Sequence, residues 1–432
     1  MTAYTMICTS DFSGLLRGKG VPVADFDKRT TAGIGWTPTN VQITCFDTIS
    51  DSPYGSFGDL VLRPDPDRRV IAPLPDGRRL DFALGDVFRL DGRAWECCTR
   101  GMLKAAVARL KARTGLELRV SFEHEFMFRE GLPTAGFSLA GFAERLGYAE
   151  DLAQALAGAG IVPDSFLREY GPNQMEITLP PAPALLAADQ AAILRDLARL
   201  VARARGEAVT FTPLIGPDVV GNGVHIHFSL WDGQGQPVTH DADRPEGLGQ
   251  VAGAFSAGIL RHARALCALT APSVISYDRL VPHRWSAAFD NLAAQDREAT
   301  LRICPVTSHE PAARARQFNL EFRAADAAAS PHLALAALIE AGLAGIDDAL
   351  PAPTATAEDL SLLSPEALAA RGLRRLPESL EAALAALEAD PLLPRVLPEG
   401  AVDIYLAHKR GEIAHVTPMP PEARFAAYAA AY

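Results

Sequence analysis

In LELRVSFEHEFMF (116–128) and VHIHFSL (224–230), apolar side chains fall at every second position. That period predicts strands with one packed face and one polar face. Short runs such as VQITCF (41–46), DLVLRP (59–64) and RRVIAPL (68–74) are separated by the turn-forming stretches DSPYGSFG, PDPD and PDG, so the first hundred residues read as strand-rich. The period then lengthens. MLKAAVARLKART (102–114), followed by Gly115, reads as a helix with a glycine stop. AADQAAILRDLARLVARARG (187–206) and VAGAFSAGILRHARALCAL (251–269) also read as helices. SPHLALAALIEAGLAGIDDAL (330–350) is predicted to start with Ser330 as N-cap and Pro331 at the first helical position. PAPTATAEDLSLLSP (351–365) reads as an exposed loop and PESLEAALAALEAD (377–390) as a helix.

The 432 residues suffice for two or three domains, and the net charge of -11 without a dense Lys/Arg run argues against a nucleic-acid partner. Six cysteines without a CxxC pair predict reduced thiols in a cytoplasmic protein. The N-terminal MTAYTMICTSDFSG has no basic-then-apolar leader pattern. No apolar run reaches the ~18 residues of a membrane span, so no membrane partner is expected.

The polar faces of the strands carry the candidate chemistry. His225, His227 and Ser229 share one face, opposite Val224, Ile226 and Phe228, and follow a turn in which Gly221 and Gly223 permit close backbone approach to a ligand. An HxH strand also occurs at zinc centres and by itself names no metal. Glu123 and Glu125 share a face opposite Phe122, His124 and Phe126. Two adjacent carboxylates on a strand packed from behind call for a cation or solvent. Glu169 and Glu176 flank a Gly-Pro turn, and Glu321 and Arg323 share a face with Phe322 opposite. Five carboxylates and one imidazole favour Mg²⁺ or Mn²⁺ over zinc. The set Arg279, Arg297, Arg302 and Arg323 suits phosphates and a carboxylate substrate. SGLLRGKG (13–20) lacks the first glycine and the final Ser/Thr of a phosphate-binding loop.

The ordered set FEHEF, EYGPNQMEI, GNGVHIHFSL, SYDRLVP, DREATLRICP, EFRAAD and SPHLALAALIEAGLAGI resembles the glutamine synthetase family over nearly the whole chain. The resemblance implies an α+β fold: a small β-grasp N-terminal domain (1–105) and a catalytic domain (106–432) on a curved antiparallel sheet. It implies ATP as co-substrate, glutamate and a small amine as the other substrates, and two to three Mg²⁺ or Mn²⁺ ions per active site. One metal site would use Glu125, Glu169 and Glu176, and another Glu123, His225 and Glu321. His227 and Ser229 would lie towards ATP, with Arg297, Arg302 and Arg323 facing its phosphates. Arg279 and Arg323 would hold glutamate, and Gly221 and Gly223 would shape its turn. The implied assembly is a homododecamer of two hexameric rings, with each site completed by a neighbour's N-terminal domain.

Several positions depart from the ammonia-using pattern. PHRWSAA replaces a Gly-aromatic-Glu run, so Trp285 stands where a glutamate closes the site and helps deprotonate ammonium. Asp47 falls at the N-terminal aspartate that helps hold ammonium. Val220 and Asn319 replace an Asn and an Arg, Ser330-Pro331-His332 replaces Asn-Pro-Tyr, and EDLSLLS lacks the tyrosine that some bacterial members adenylylate. These departures point to a γ-glutamyl–amine ligase acting on an organic amine. The alternatives are a true glutamine synthetase, a zinc metallohydrolase built on the HxH strand, and a non-catalytic relative.

Overall fold

The computed structural model describes residues 3–432. A five-stranded sheet comes first, in the order Leu16–Pro22, Tyr4–Ser10, Arg79–Arg89, Leu60–Pro73, Ile34–Trp36. The helix Phe26–Ala32 packs on Leu60–Pro73, with the Arg69 guanidinium over the Phe26 ring. The two runs expected at 59–64 and 68–74 are one strand, whose pairing with Arg79–Arg89 shifts register between Pro64 and Arg69. No strand forms over 41–46. Pro38 opens a short 3-10 helix, Pro38–Gln42, and the chain then turns back as Thr44 N–H donates to Thr48 O (2.8 Å) around Asp47 at φ 54°.

The second sheet has ten strands, eight of them in the order Ala355–Thr356, Phe289–Ala293, Ala299–Ile303, Leu320–Phe322, Val224–Trp231, Glu117–Phe128, Gln174–Thr178, Ser165–Arg168. Its centre is antiparallel, as expected, but the sheet is mixed. Phe289–Ala293 runs parallel to both neighbours, and in the first sheet Tyr4–Ser10 runs parallel to Arg79–Arg89. The stretch 351–365 is therefore not all loop, because Ala355–Thr356 forms the sheet's edge.

Helices Thr99–Thr114, Ala184–Ala204, Gln250–Arg261 and Pro331–Asp347 pack with one another and the sheet, burying a continuous apolar core. Thr99–Thr114 ends at Gly115 in the left-handed region, as its sequence predicts. The stretch 251–269 splits in two, because His262 leaves helical geometry and its Nδ1 bonds Asp390 (2.8 Å). Ser330 occupies the N-cap position before Pro331, but its hydroxyl pairs with Ser10 instead of capping the helix. A buried ionic network joins the two sheets' supporting elements: Arg100 bonds Asp65 and Asp86 on strands of the first sheet and Asp189 on the helix Ala184–Ala204. Among the described residues all six cysteines are free and buried, and no helix is long and apolar enough to cross a membrane.

Candidate active site

Strand register gathers the acidic residues. His225 lies directly across from Glu123, Glu125 from Glu176, and Glu321 from both His227 and Arg302. Directly opposed residues in a sheet have Cβ atoms about 4.5–5.5 Å apart, so these pairings form a polar row on one face of the catalytic sheet. Glu169 joins it from the turn before Gln174–Thr178, its backbone N–H bonded to Gln174 O (2.9 Å).

A cavity of ≈ 280 Å³ opens over this row, lined by Glu123, Glu125, Glu169, Glu176 and His225 together with Arg279, Arg284, Arg297 and Arg323. Gly221 lines it too. A Cβ there would meet Pro213 O at 2.5 Å and Arg279 Cδ at 2.7 Å, so only glycine lets the turn sit against the arginine. The Gly223 N–H donates to Glu125 Oε2 (2.7 Å).

The carboxylates are electrostatically unequal. Burial pushes Glu176 up to about 9, aided by the negative charges of Glu123, Glu125 and Glu169. Burial likewise raises Glu169. Burial also works against ionised Glu123, but the adjacent His225 (Nδ1 to Oε1 2.5 Å) and His227 outweigh it and hold the carboxyl low. The same contest at Glu321 is won by His225, Arg323 and His227, at about 2. A proton retained on Glu176 at neutral pH reports negative charge in search of a cation. Oxygen donors in this number fit Mg²⁺ or Mn²⁺.

Arg279 and Arg323 are fixed by both main-chain and side-chain acceptors. Arg279 donates to Ser286 Oγ (2.9 Å) and Ala325 O (2.5 Å), leaving its Nε without a partner. Arg323 donates through Nε to Arg297 O (2.7 Å), through Nη2 to Trp285 O (3.3 Å), and through Nη1 to Glu321.

Trp285 forms part of the mouth. It is 52% exposed and held at φ 52°, in a loop whose Trp285 and His283 N–H groups both donate to Glu298 (2.9 Å each). A positive φ at a bulky residue is uncommon and costs of order 1 kcal/mol or more, which the Glu298 clamp offsets.

Not every expected residue lines the cavity. His227, Ser229, Arg302 and Glu321 continue the same face beyond it. Ser229 Oγ accepts from Trp231 Nε1 (2.9 Å), and Arg302 Nη1 lies 3.3 Å from Glu321 Oε1. Asp47 is on the N-terminal domain, largely exposed and bonded to Arg17 (3.0 Å), and does not line its own chain's cavity. Sequence reasoning missed Gln174, whose Nε2 bonds Gly221 O (2.9 Å) and Asn222 Oδ1 (3.0 Å); it sits two residues before Glu176 on the same strand face, a signal that was available. Arg284, Ser286 and Phe137, on loops without periodicity, gave no such signal.

Residues 96–428 match the family model described as glutamine synthetase, catalytic domain, and residues 3–95 match the glutamine synthetase N-terminal domain. The chain belongs to the glutamine synthetase family. It is 33% identical to a gamma-glutamylpolyamine synthetase of Streptomyces coelicolor, over 97% of this chain and 91% of that one. It is 30% identical to a glutamine synthetase of Pyrococcus furiosus, over 91% of this chain and 86% of the relative. Among solved structures, one described as a novel glutamine synthase homolog superposes with a TM-score of 0.91 at 40% identity, covering 100% of this chain and 99% of the other. A GmaS–ADP complex gives 0.83 at 26% identity, covering 98% and 95%. Members of this family are ligases that use ATP and divalent metals such as Mg²⁺ or Mn²⁺.

Proposed function

We propose that this family member joins the γ-carboxylate of glutamate to an organic amine, using ATP and passing through γ-glutamyl phosphate. The observation that carries the choice of acceptor is the aromatic mouth: Trp285 packs edge-on against Tyr170 beside the carboxylate row, and the sequence resemblance puts it where ammonia-using members would carry a glutamate. An indole face receives an alkyl chain or a cationic amine and offers no carboxylate for ammonium. The name of the Streptomyces relative is consistent with this reading.

In this reading Glu125, Glu169 and Glu176 hold one divalent ion, and Glu123, His225 and Glu321 hold another. Bound Mg²⁺ or Mn²⁺ supplies charge neutralisation for the ATP phosphates. Arg279 and Arg323 orient the glutamate carboxylates, while Arg297, Arg302 and Arg323 stabilise charge on the transferring phosphoryl group. His227 and Ser229 lie on the ATP side. The γ-carboxylate oxygen attacks the terminal phosphorus, ADP leaves, and the neutral amine then attacks the acyl carbon and expels phosphate, the surplus proton on nitrogen passing to the departing phosphate or to solvent. Closure of the Trp285 loop would keep water from the acyl phosphate. Asp47 would serve a neighbouring subunit's site in a double hexameric ring.

The test is phosphate release from ATP with Mg²⁺ and glutamate, screened against ammonium and a panel of mono- and polyamines, with product masses recorded. Turnover with an amine well above that with ammonium is expected. Ammonium as the faster acceptor would instead identify a glutamine synthetase.

A further inference from the structure

Three side chains of different chemistry converge on the sheet face beyond the acidic cavity. Cys304 Sγ lies 3.4 Å from His227 Nδ1 and 3.5 Å from Glu321 Oε2. One ligand atom from each residue lies within 4.8 Å of the other two, and both Cys304 and Glu321 are buried. The backbone fixes this arrangement: His227 opposes Glu321 in the sheet, and Cys304 N–H donates to Asn319 O (3.0 Å). Asn319 also brings Oδ1 to 3.0 Å from His227 Nδ1.

The distances from Cys304 Sγ to His227 Nδ1 and to Glu321 Oε2 suit a tetrahedral ion. With zinc–sulfur near 2.3 Å and zinc–nitrogen or zinc–oxygen near 2.0–2.1 Å, ligand atoms stand roughly 3.3–3.6 Å apart. A thiolate with an imidazole favours zinc over magnesium, which takes oxygen ligands. The other ring nitrogen, His227 Nε2, lies 3.3 Å from Glu321 Oε2 and 3.5 Å from Glu123 Oε2. A carboxylate behind the ring is the usual orienting partner of a zinc-bound histidine.

We propose that His227, Cys304 and Glu321 form an inhibitory zinc site, with the Asn319 carbonyl on its fourth side. Binding breaks the S–H bond, releases that proton to solvent and forms a sulfur–zinc bond. Glu321 is drawn to the zinc and is lost to the catalytic metal set. The inhibitory half of this inference rests on the role given to Glu321 above, whereas the binding half does not.

Cobalt(II) alone, titrated into the metal-free protein, tests binding without any need for turnover. The wild type should develop a saturable sulfur-to-cobalt charge-transfer band, and Cys304→Ser and Cys304→Ala should both lack it. Phosphate release then tests inhibition. Zinc should suppress wild-type turnover with Mg²⁺, a chelator should restore it, and Cys304→Ser should keep basal turnover while needing roughly tenfold more zinc or beyond. No band in the wild type, a band that survives both substitutions, or equal zinc sensitivity would overturn the proposal. Absence of turnover with every amine would count against the ligase reading and leave the cobalt result to decide the site.

Discussion

The rings of Trp285 and Tyr170 meet edge-on, with centroids 5.0 Å apart and planes at 64°. Each is anchored through its own main chain: Trp285 N–H to Glu298 and Tyr170 N–H to Glu169 Oε2 (2.8 Å). Tyr170 thus ties the aromatic mouth to the carboxylate row. Trp285→Glu would place a carboxylate where the indole stands and should raise ammonium use relative to amines about tenfold, the scale of a single cation–π interaction. Tyr170→Ala should raise the KM for an amine more than it changes turnover with ammonium. Steady-state kinetics with paired acceptors measure both, and an unchanged preference in Trp285→Glu would remove the case for an organic acceptor.

Glu176 gives the metal-free protein a pH signature. Its folded carboxyl is raised to about 9 by burial and by three neighbouring carboxylates, whereas the unfolded chain releases that proton near 4.5. The raised value means that stability is fully present below about pH 4.5 and declines as pH rises through about 9, by up to about 1.4 kcal/mol per pH unit from this group. Glu176→Gln, which mimics the protonated acid, should flatten that slope without unfolding the protein. Mg²⁺ should stabilise the wild type most at high pH and the variant least. Thermal denaturation in chelator and in Mg²⁺ across pH 5–9 reads the difference.

Much of the site was legible because its residues sit on strands, where a period of two assigns every side chain to a face. Glu123, Glu125, His225 and Glu321 could be placed on polar faces from the apolar alternation around them, and the register between strands did the rest. Three kinds of feature escaped. The run 41–46 has strand-like composition, but Pro38 and the Thr44–Thr48 turn impose local geometry that alternation does not encode. Of the arginines lining the cavity only Arg284 escaped, because it sits on a loop whose packing depends on distant sequence, reaching Val219 O (3.2 Å). Parallel pairing of Phe289–Ala293 was equally invisible, since buried strands read the same in either direction.

Asp189 should set the strength of the joint between the domains. Its Oδ1 accepts from Arg100 Nε and His332 Nε2, both at 2.8 Å, in a fully buried setting. Burial pushes its carboxyl upward, yet His332 and Arg100 overcome this and hold it at about 2. A depressed acid stabilises above its unfolded value near 3.8 and loses that contribution as pH falls through about 2, here about 2 kcal/mol. Asp189→Asn leaves Arg100 short of a buried counter-charge and should cost about 3 kcal/mol at pH 7. Denaturant unfolding at pH 7 and between pH 4 and 2 checks both, and an equally steep acid loss in Asp189→Asn would remove Asp189 as its source.

Glu321 separates charge from hydrogen bonding. Its Oε1 accepts from Arg323 and Arg302, while Oε2 faces Cys304 and His227. Glu321→Gln keeps an oxygen for the two arginines but puts an amide nitrogen, a donor, where Oε2 accepts from Cys304 Sγ, so the bonds to the arginines survive without the negative charge and the thiol loses its acceptor. The fold should therefore persist, with stability lowered by about 1–3 kcal/mol for weakened charge-assisted bonds. Turnover should fall far more, by roughly 10²–10³-fold, the scale of removing one preorganised electrostatic group from a transition state. Thermal unfolding alongside phosphate release distinguishes the two effects. Activity close to wild type would mean that the negative charge at Glu321 plays no part in holding a metal or in phosphoryl transfer, and the second metal site would have to be built without it.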